Sequence, residues 1–464
     1  MSVFLLITGC AIGPDYKRPS VDSPTSWRVE EPEAKDLVNT EWWEQFEDPV
    51  LTELIQSALR ENKDLKIAAA RVEEFMGRYG VTRAALFPQM TATGSAGRQR
   101  FSNNANPLPS PTLQNPGDLY QAFLSASWQI DLWGQLRRAT EAARADLLST
   151  EEARRGVILT VVTSVANAYT DLLGLDKQLD IAERTAKARG NTFDLFTLRF
   201  NRGLISELEL RQAESEYRSA LATIPFIQKL IAQQENALCV LLGRNPGPIP
   251  RGKIIDNLVL PTVPSGLPSS LLERRPDICQ AEQDLIAANA RIGVARALYF
   301  PTIFLTGNYG TVSRDMDLLF TAGTNAWAYT TPSITLPIFT AGAIAGQVKA
   351  ADSLQQEVLF RYQKVIQQAF REVDDALIDQ NRSREMLGIQ KEQVEALRNY
   401  ARLAHLRYDN GYTSYIDVLD AERSLFQGEL LYAQTQVALF RALVNAYKSM
   451  GGGWVNIADN LTRE

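Results

Sequence analysis

The sequence is poor in the residues from which metal centres and catalytic sites are most often built. Its 464 residues include one histidine, His405, and three cysteines, Cys10, Cys239 and Cys279, with no CxxC pair. This argues against a zinc site made of cysteine and histidine ligands. The phosphate-binding pattern GxxxxGK[ST] is also missing, so the chain has no P-loop with which to draw energy from a nucleotide. We therefore expect no enzyme activity, no metal and no cofactor other than a covalent lipid.

The chain also lacks a strong charge imbalance and a long apolar run. Its net charge of −6 and pI near 5.3 give no electrostatic reason to expect nucleic acid as a partner. No stretch reaches about 18 consecutive apolar residues, so the sequence predicts no transmembrane helix. If the protein spans a membrane, it must therefore do so with β-strands.

The N-terminus has the pattern of a lipoprotein signal. Cys10 follows two small residues and a short apolar run that begins at Val3. No Lys or Arg precedes the run, which a start codon assigned too late would explain. We expect residues 1–9 to be a lipoprotein signal, whole or truncated, and Cys10 to carry the lipid; the alternative is an ordinary N-terminus with a chance cysteine. Cys239 and Cys279 then either pair in an oxidising periplasm or stay buried and inert, and the second outcome is favoured.

The strongest signal in the sequence is an internal repeat. The pattern RxGVxRAxxFP occurs at residues 78–88 and again at 291–301, an offset of 213, and TGxxG follows at the same offset. Further on, LR[FY]xxG occurs at 198–203 and again at 406–411, an offset of 208. Because the landmarks keep the same order, the chain consists of two copies of one unit that differ in loop length.

Each copy predicts two very long helices. Apolar residues recur in steps of three and four over residues 161–200, with Arg189 the one polar exception, and over 416–447, broken only by Arg423. Such a 3.5-residue repeat keeps an apolar seam turned toward a partner helix, as in coiled coils. The first helix should run for roughly 60 residues, or about 90 Å. Pro225 lies inside the next helix and is expected to kink or end it.

Strands are predicted between the helical blocks. Apolar and polar residues alternate over 120–130, with Phe123 the departure, and over 303–309. Such alternation gives each strand one apolar and one polar face. Four aromatic residues could form a girdle at a membrane interface: Tyr120, Trp128, Trp327 and Tyr329. The alternative is a small, half-buried sheet on a soluble domain.

The strand count predicts an assembly. Two hairpins give four strands per chain, whereas the smallest bacterial transmembrane barrels have about eight. An open sheet edge in lipid would leave backbone groups unpaired, at several kcal/mol each. Two copies would give a barrel filled by side chains, and three would give twelve strands that can leave a bore. A barrel in the membrane must therefore be shared between copies, and a shared ring of helices would continue it.

Five short segments stand out beside the repeat: 131–134 (DLWG), 275–278 (RPDI), 300–303 (FPTI), 332–339 (PSITLPIF) and 451–454 (GGGW). Together they resemble the TolC-type outer-membrane efflux proteins, in particular the NodT-like lipoprotein branch that serves resistance-nodulation-division pumps. The resemblance runs from Cys10 to about Trp454. It implies a mainly α homotrimer with membrane β-structure, in which each chain lends four strands to a 12-stranded transmembrane β-barrel and its long helices to a periplasmic α-helical barrel.

The resemblance also implies a function. The protein is expected in the outer membrane of a Gram-negative bacterium, anchored by lipid, as the exit duct of a tripartite efflux system. It would passively conduct drugs or other small solutes to the exterior after docking to a periplasmic adaptor (membrane fusion) protein and an inner-membrane pump. The expected partners are two further copies of the chain, the adaptor, the pump and outer-membrane lipid, with no nucleic acid.

On this basis the chain is expected to divide into nine segments. They are 1–9, the signal; 10–48, an extended lipid-anchored segment; 49–88, helices of the first repeat; 89–131, the first β-hairpin; 132–242, the first long helical hairpin; 243–300, an equatorial linker and the helices of the second repeat; 301–340, the second β-hairpin; 341–450, the second long helical hairpin; and 451–464, a C-terminal equatorial tail.

The family's entrance lies at the periplasmic tip, here the turn 408–412 and the helix after it. Asp417 and Asp420 are three residues apart and so share a helix face. By resemblance they would form two stacked acidic rings that attract cations, with Ile416 as an apolar constriction and Tyr408 in gate closure. The alternative is a pair of solvated carboxylates favoured by the helix N-terminus.

The tip departs from the family pattern at one position. A basic residue that completes the gate in some relatives is replaced by Thr413, so the closing contacts should differ. In the first half, Glu209 and Gln212 stand opposite Asp417 and Asp420, so the acidic rings should be asymmetric. The adaptor is expected to dock at the tip turns, at Arg202, Gly203, Asn410 and Gly411.

Two rival functions stay open at this point. A soluble periplasmic coiled-coil scaffold would purify without detergent. An enzyme on a helical frame is disfavoured because the ionisable residues line helix faces and do not cluster. His405 in particular is expected on a helix surface.

Overall fold

Helices make up most of the structure, a computed structural model that describes residues 11–21, 27, 41–100, 102, 116–260, 271–451 and 455. In this part of the chain the α-helices are α1 (Pro49–Glu61), α2 (Lys63–Ala84), α3 (Gln135–Asn201), α4 (Glu207–Leu241), α5 (Leu271–Arg274), α6 (Pro276–Ala297), α7 (Ala343–Asp409) and α8 (Tyr415–Ser449). The strands are β1 (Gln89–Gln99), β2 (Gly117–Ile130), β3 (Thr302–Ser313) and β4 (Asn325–Thr335). Two 3-10 helices cover Trp42–Phe46 and Ile255–Asn257. Residues 1–10, 452–454 and 456–464 and most of the β1–β2 loop lie outside the described residues.

The two halves of the chain have the same element order and matching helix lengths. The first long helix has 67 residues in both halves, as α3 and α7, and the second has 35 in both, as α4 and α8. The expected helix of roughly 60 residues is therefore confirmed and slightly longer. Pro225 does not end α4, which continues to Leu241.

Contacts between residues divide the chain into two compact units. One unit holds the described parts of Met1–Ser20, Val72–Thr150 and Ala281–Tyr362, and the other those of Val21–Arg71, Glu151–Gln280 and Gln363–Glu464. All four strands belong to the first unit. The hydrophobic core under the N-terminal helix α1 and both helix tips belong to the second unit.

In the first unit the strands form one antiparallel sheet in the order β1-β2-β3-β4. One row across all four strands consists of Ala92, Leu124, Tyr309 and Trp327. The adjacent row, on the other face, consists of Thr91, Ser125, Asn308 and Ala328. The predicted alternation is therefore confirmed, and the large apolar residues of the first row are exposed.

Phe123 departs from the alternation because of its neighbour in β3. The register pairs Phe123 with Gly310. A Cβ added at Gly310 would lie 2.7 Å from Cδ1 of Phe123, and closer still to the carbonyl oxygen of Ala122. Glycine thus lets the ring lie across β3 on the face where the other odd-numbered residues of β2 from Gln121 to Gln129 are polar.

The sheet has two open edges in a single chain. Within the described residues β1 pairs only with β2, and β4 only with β3. Each edge strand is 11 residues long. Edge strands present rows of unpaired N–H and C=O groups that invite pairing with another chain. Pro332 in β4 fits this position, since proline cannot donate to a sheet and is confined to edges and bulges.

In the second unit a buried carboxylate joins three segments. Asp48, which is 1% exposed, accepts a hydrogen bond from the Tyr169 hydroxyl of α3 at 2.9 Å. It also accepts from the backbone N–H groups of Val50 at 2.9 Å and Lys253 at 3.1 Å. Because a buried carboxylate is tolerated only when it is hydrogen-bonded, this set fixes α1 and the loop at residue 253 against α3.

The two halves secure their last helices with different side chains. Asn62 Nδ2 donates to the carbonyl oxygen of Leu241, at the end of α4, at 2.7 Å. Arg275 Nη1 donates to the carbonyl oxygen of Ser449, at the end of α8, at 2.8 Å. Left-handed glycines with φ of 72° follow both helices: Gly243 and Gly451. The repeat has therefore kept the contact and changed the residue that makes it.

One helix of the described chain meets the length and composition of a membrane span. An 18-residue window of α3 has a mean hydropathy of 1.4, although 56% of it is buried inside the chain. The expectation of no transmembrane helix rests on uninterrupted apolar runs, and this window of α3 qualifies by length and composition only. A core helix that is mostly buried passes the same test.

The two later cysteines are thiols and do not form a disulfide. Cys239 is buried, with Sγ 3.2 Å from the carbonyl oxygen of Gly247. Cys279 is partly exposed, with Sγ 3.8 Å from the carbonyl oxygen of Glu273. The expectation of buried thiols is confirmed for Cys239 and wrong for Cys279.

Candidate functional site

Both long hairpins, α3–α4 and α7–α8, turn in the same way at their tips. Gly203 and Gly411 have φ of 71° and 77°, the left-handed region that glycine adopts without steric cost. The amide of Gly203 donates to the carbonyl of Phe200 at 2.8 Å, and that of Gly411 to the carbonyl of Tyr408 at 2.9 Å. The four residues predicted to meet the adaptor therefore lie in two equivalent turns: Arg202, Gly203, Asn410 and Gly411.

The helices that follow the turns start differently. α4 begins with a capping box, in which the Glu209 amide donates to Ser206 Oγ at 3.3 Å and the Ser206 amide to the Glu209 carboxylate at 2.9 Å. In α8 the equivalent residue is Asp417, and Ser414 makes no side-chain cap. Since aspartate is one methylene shorter, it does not reach back. Its carboxylate accepts instead from the hydroxyl of Thr413.

Asp417 and Asp420 both lie on the exposed side of α8. The Asp420 carboxylate accepts a hydrogen bond from the Tyr400 hydroxyl of α7 at 3.2 Å. Ile416 lies beside them and is 58% exposed. The three predicted side chains therefore share one open surface at the tip. In a single chain this surface fits both a pore-lining ring and solvated carboxylates at a helix N-terminus.

Tyr408 belongs to an aromatic cluster that joins three helices. Its ring lies 6.1 Å from Phe196 of α3 and 5.4 Å from Tyr415 of α8, measured between centroids. Burial raises the pKa of the Tyr408 hydroxyl, and a hydrogen bond with the Arg199 guanidinium opposes this. The basic partner of Tyr408 is thus Arg199, which sequence reasoning missed. The repeat contains a signal for this pair, because Arg199 in the first half corresponds to Arg407 in the second, the residue directly before Tyr408.

A shared carboxylate ties the two hairpins together. Glu216 of α4 lies 2.9 Å from Nη1 of Arg189 in α3 and 2.6 Å from Nε of Arg423 in α8. Arg189 and Glu216 are buried, whereas the Arg423 side chain is 59% exposed. These arginines are the two polar exceptions in the apolar seams. The sequence shows both exceptions but gives no sign that they meet at Glu216.

His405 lies on the helix surface, as expected, and is paired. Its Nε2 is 2.7 Å from Oε1 of Glu422 in α8. This contact raises the pKa of His405, and burial opposes the rise. The imidazolium form is therefore favoured to a higher pH than in a free histidine, and it links α7 to α8 near the tip. Within the described ranges no three His, Cys, Asp or Glu side chains are grouped to hold a metal ion.

The predicted lipid site, Cys10, lies outside the described residues, but the segment after it is firmly held in the first unit. The Ile12 amide donates to the carbonyl of Trp133, which follows β2, at 2.9 Å. Arg138, which is 5% exposed, binds the Asp15 carboxylate at 2.5 Å. The chain directly after Cys10 is thus fixed beside the start of α3.

Comparison with known proteins gives one consistent family. The sequence profile described as outer membrane efflux protein matches residues 54–244 and 267–452. The probable efflux pump outer membrane protein TtgC of Pseudomonas putida is 37% identical over 458 residues, which cover 97% of this chain and 94% of that protein. The cation efflux system protein CusC of Escherichia coli is 35% identical over 458 residues, 97% of either chain.

Solved structures agree with the sequence relatives. The outer membrane channel MtrE of Neisseria gonorrhoeae, in its open state, superposes with a TM-score of 0.86 at 32% identity. The match covers 96% of this chain and 99% of that chain. The fold and the sequence therefore point to the same relatives over nearly their whole length.

Proposed function

Since this chain belongs to the outer membrane efflux protein family and acts as an efflux duct in the outer membrane, we propose that three copies close one passive pore. Each copy would contribute four strands to a 12-stranded barrel and its long helices to a periplasmic helical barrel. The pore would carry drugs or other small solutes from the periplasm to the exterior. Energy would come from partners, since the sequence holds no P-loop.

The sheet is the observation that carries this proposal. It has one face rich in exposed apolar residues, among them Leu124, Tyr309 and Trp327, and two unpaired edges of 11 residues. In water such a sheet exposes apolar surface, and in lipid its edges would leave backbone groups unpaired at several kcal/mol each. Pairing β4 of one copy with β1 of the next satisfies the edges, so the closed sheet can place its apolar face in lipid without either penalty.

The open surface at the tip of α7 and α8 supports a gate. Three copies of Asp417 and Asp420 around the pore axis would form two acidic rings that favour cations. Ile416 would narrow the opening between them. Tyr408, packed on α3, would hold the second hairpin to the first in the closed state.

The proposed partners follow from the same arrangement. An adaptor would dock at the two equivalent tip turns and connect the duct to an inner-membrane pump. Lipid on Cys10 would anchor the chain to the membrane, and the fixed segment from Ile12 would keep that anchor close to the end of β2. The relatives are named for toluene, antibiotic, solvent and cation efflux. Because these solutes differ, we propose only the broad class of drugs and other small solutes for this chain.

Planar-bilayer recording of the purified protein tests this function. The protein should form ion channels with cation preference, and replacing both Asp417 and Asp420 by alanine should raise single-channel conductance and abolish that preference. Two exposed carboxylates of α7, also three residues apart, provide the matched control: Glu392→Ala with Glu395→Ala should leave conductance unchanged.

Two results would contradict the proposal in different ways. If correctly folded protein forms no channels, the proposal that three copies close one pore is wrong. If channels form but the Asp417 and Asp420 substitutions change neither conductance nor ion preference, the protein is a duct and these carboxylates are not part of its gate.

A further inference from the structure

Helix α8 has a covered side and a bare side within the second unit. On the covered side three residues contact the two 3-10 helices: Gln436 bonds Asp256 at 2.9 Å, Phe440 packs on Phe46 and Tyr447 stacks on Trp42. Residues two apart in an α-helix point in nearly opposite directions, about 200° apart. Gln434, Ala438 and Asn445 therefore point away from this cover, and all three are exposed.

The bare side of α8 is continuous with the acidic tip. Every seventh residue upward from the tip is exposed: Asp420, Gln427, Gln434, Arg441 and Lys448. The flanks of the helix are taken by its neighbours, because Gly428 packs against Leu397 of α7 and Val437 packs against Gly174 of α3. The bare side is thus neither the covered side nor a flank. If Asp420 faces the pore, so does this whole stripe.

A cavity of about 390 Å³ opens on the bare side, between α3, α4 and α8. Four carboxamides line it: Gln178, Gln233, Gln234 and Gln434. Leu175, Leu230 and Val437 supply apolar surface, and Ala438 lies at the wall formed by α8. Its volume falls in the range of about 300–1,000 Å³ that is typical of small-molecule sites.

The lining carries hydrogen-bonding groups but no unbalanced charge. The only charged residues are Asp171 and Arg441, which neutralise each other through two hydrogen bonds of 2.6 and 2.5 Å. Gln234 donates to the carbonyl of Ala168 at 2.9 Å. Among the described residues, the other three carboxamides have no protein partner and are available to a solute. An uncharged carboxamide can both donate and accept, so it suits hydroxyl, amide and ether groups.

We propose that this cavity is a transit site for uncharged amphiphilic organic solutes on the wall of the pore. The apolar part of the solute would lie on the leucines and valine, and its polar groups would bond the glutamines. Hard metal ions such as Mg²⁺ and Ca²⁺ would gain little there, because they favour carboxylate ligands and the one carboxylate of the lining, Asp171, is already paired. The inference depends on the proposed pore and names one class of solute for it.

Current blockade in planar bilayers tests the site, with 4-nitrophenyl β-D-glucopyranoside as an uncharged amphiphilic probe. The probe should interrupt the current of the wild-type channel, and Ala438→Trp, which fills the cavity, should shorten the blockades at least about tenfold. Leu431→Trp is the matched control, since it places the same side chain on the bare side one heptad nearer the tip and outside the cavity lining. Gln434→Leu keeps the volume and removes one carboxamide, so blockades should shorten about threefold to tenfold.

The outcomes separate the site from the pore. Open channels that show no blockade, or equal blockade in the wild type and in Ala438→Trp, would overturn the site and leave the duct intact. Blockade of equal duration by the dianion 4-nitrophenyl phosphate would overturn the proposed class of solute. Failure to form any channel would strike the proposed function itself.

Discussion

At the scale of the residue, the two polar side chains that interrupt the apolar seams both make an ion-pair contact. Arg189 and Arg423 interrupt otherwise regular heptads, and both bind Glu216. Arg189 is 5% exposed, so its charge is tolerated only because a carboxylate and the Glu216 carbonyl lie within hydrogen-bond distance. The interruption is therefore a link between hairpins and not a weak point of the coiled coil.

Removing the shared carboxylate should destabilise this region strongly. Glu216→Gln leaves Arg189 buried without a counter-charge, a loss of about 3 kcal/mol. Amide hydrogen exchange in α3 and α4 around these residues should then accelerate about a hundredfold. Arg423→Gln removes only the exposed partner and should lose less than about 1 kcal/mol. Equal exchange rates in the two variants would show that burial does not set the strength of this link.

At the scale of the element, the sheet shows how a strand pattern can be locally broken and still hold its register. Phe123 sits on the polar face because Gly310 stands opposite and leaves room for the ring. Gly307, three residues earlier in the same strand, has nothing within 4 Å of an added Cβ. Two glycines of one strand therefore differ entirely in what they tolerate.

A methyl group should destabilise the sheet at Gly310 and have no effect at Gly307. Gly310→Ala forces a Cβ against Phe123 and the backbone of β2, an overpacking that typically costs about 1–3 kcal/mol. The temperature at which unboiled samples lose their folded band on a gel should fall. Gly307→Ala should leave that temperature unchanged. A similar fall in both variants would point to glycine flexibility, and not to space, as the reason for Gly310.

The same scale shows where sequence patterns stop being sufficient. Heptad spacing predicted α3 and α8, and alternation predicted β2 and β3, because each pattern lies within one element. Pro225 was expected to kink or end α4, yet the helix continues through it. A proline removes one backbone hydrogen bond, and packing over a 35-residue helix outweighs that loss.

At the scale of the whole molecule, the unpaired sheet edges are the basis of the proposed assembly. In the proposed barrel the apolar face of β2 meets lipid and its polar face meets the bore. Two neighbouring residues, one on each face, test this orientation. Leu124→Lys places a charge on the apolar face, which in lipid costs about 2–4 kcal/mol. Ser125→Lys places the same charge on the polar face, where a water-filled bore would accept it.

The wild type should therefore be a trimer in mild detergent, with a protein mass near three times 51.7 kDa by light scattering. Ser125→Lys should keep that mass, and Leu124→Lys should lose membrane insertion. A monomer that is stable without detergent would favour the soluble scaffold. Equal behaviour of the two variants would mean that neither face of the sheet meets lipid.

The sequence by itself determined the duplication, the long helices, the alternating strands and the two equivalent tip turns. Each of these depends on spacing within one element or on the chemistry of one turn, and both can be read directly from the order of residues. The tertiary structure alone decided that Arg423 reaches Glu216 across 207 residues, that Arg199 serves Tyr408, and that four glutamines border one cavity. Such meetings depend on the rotation and register of packed helices, which are set by side-chain fit between elements and leave no periodic trace in either one.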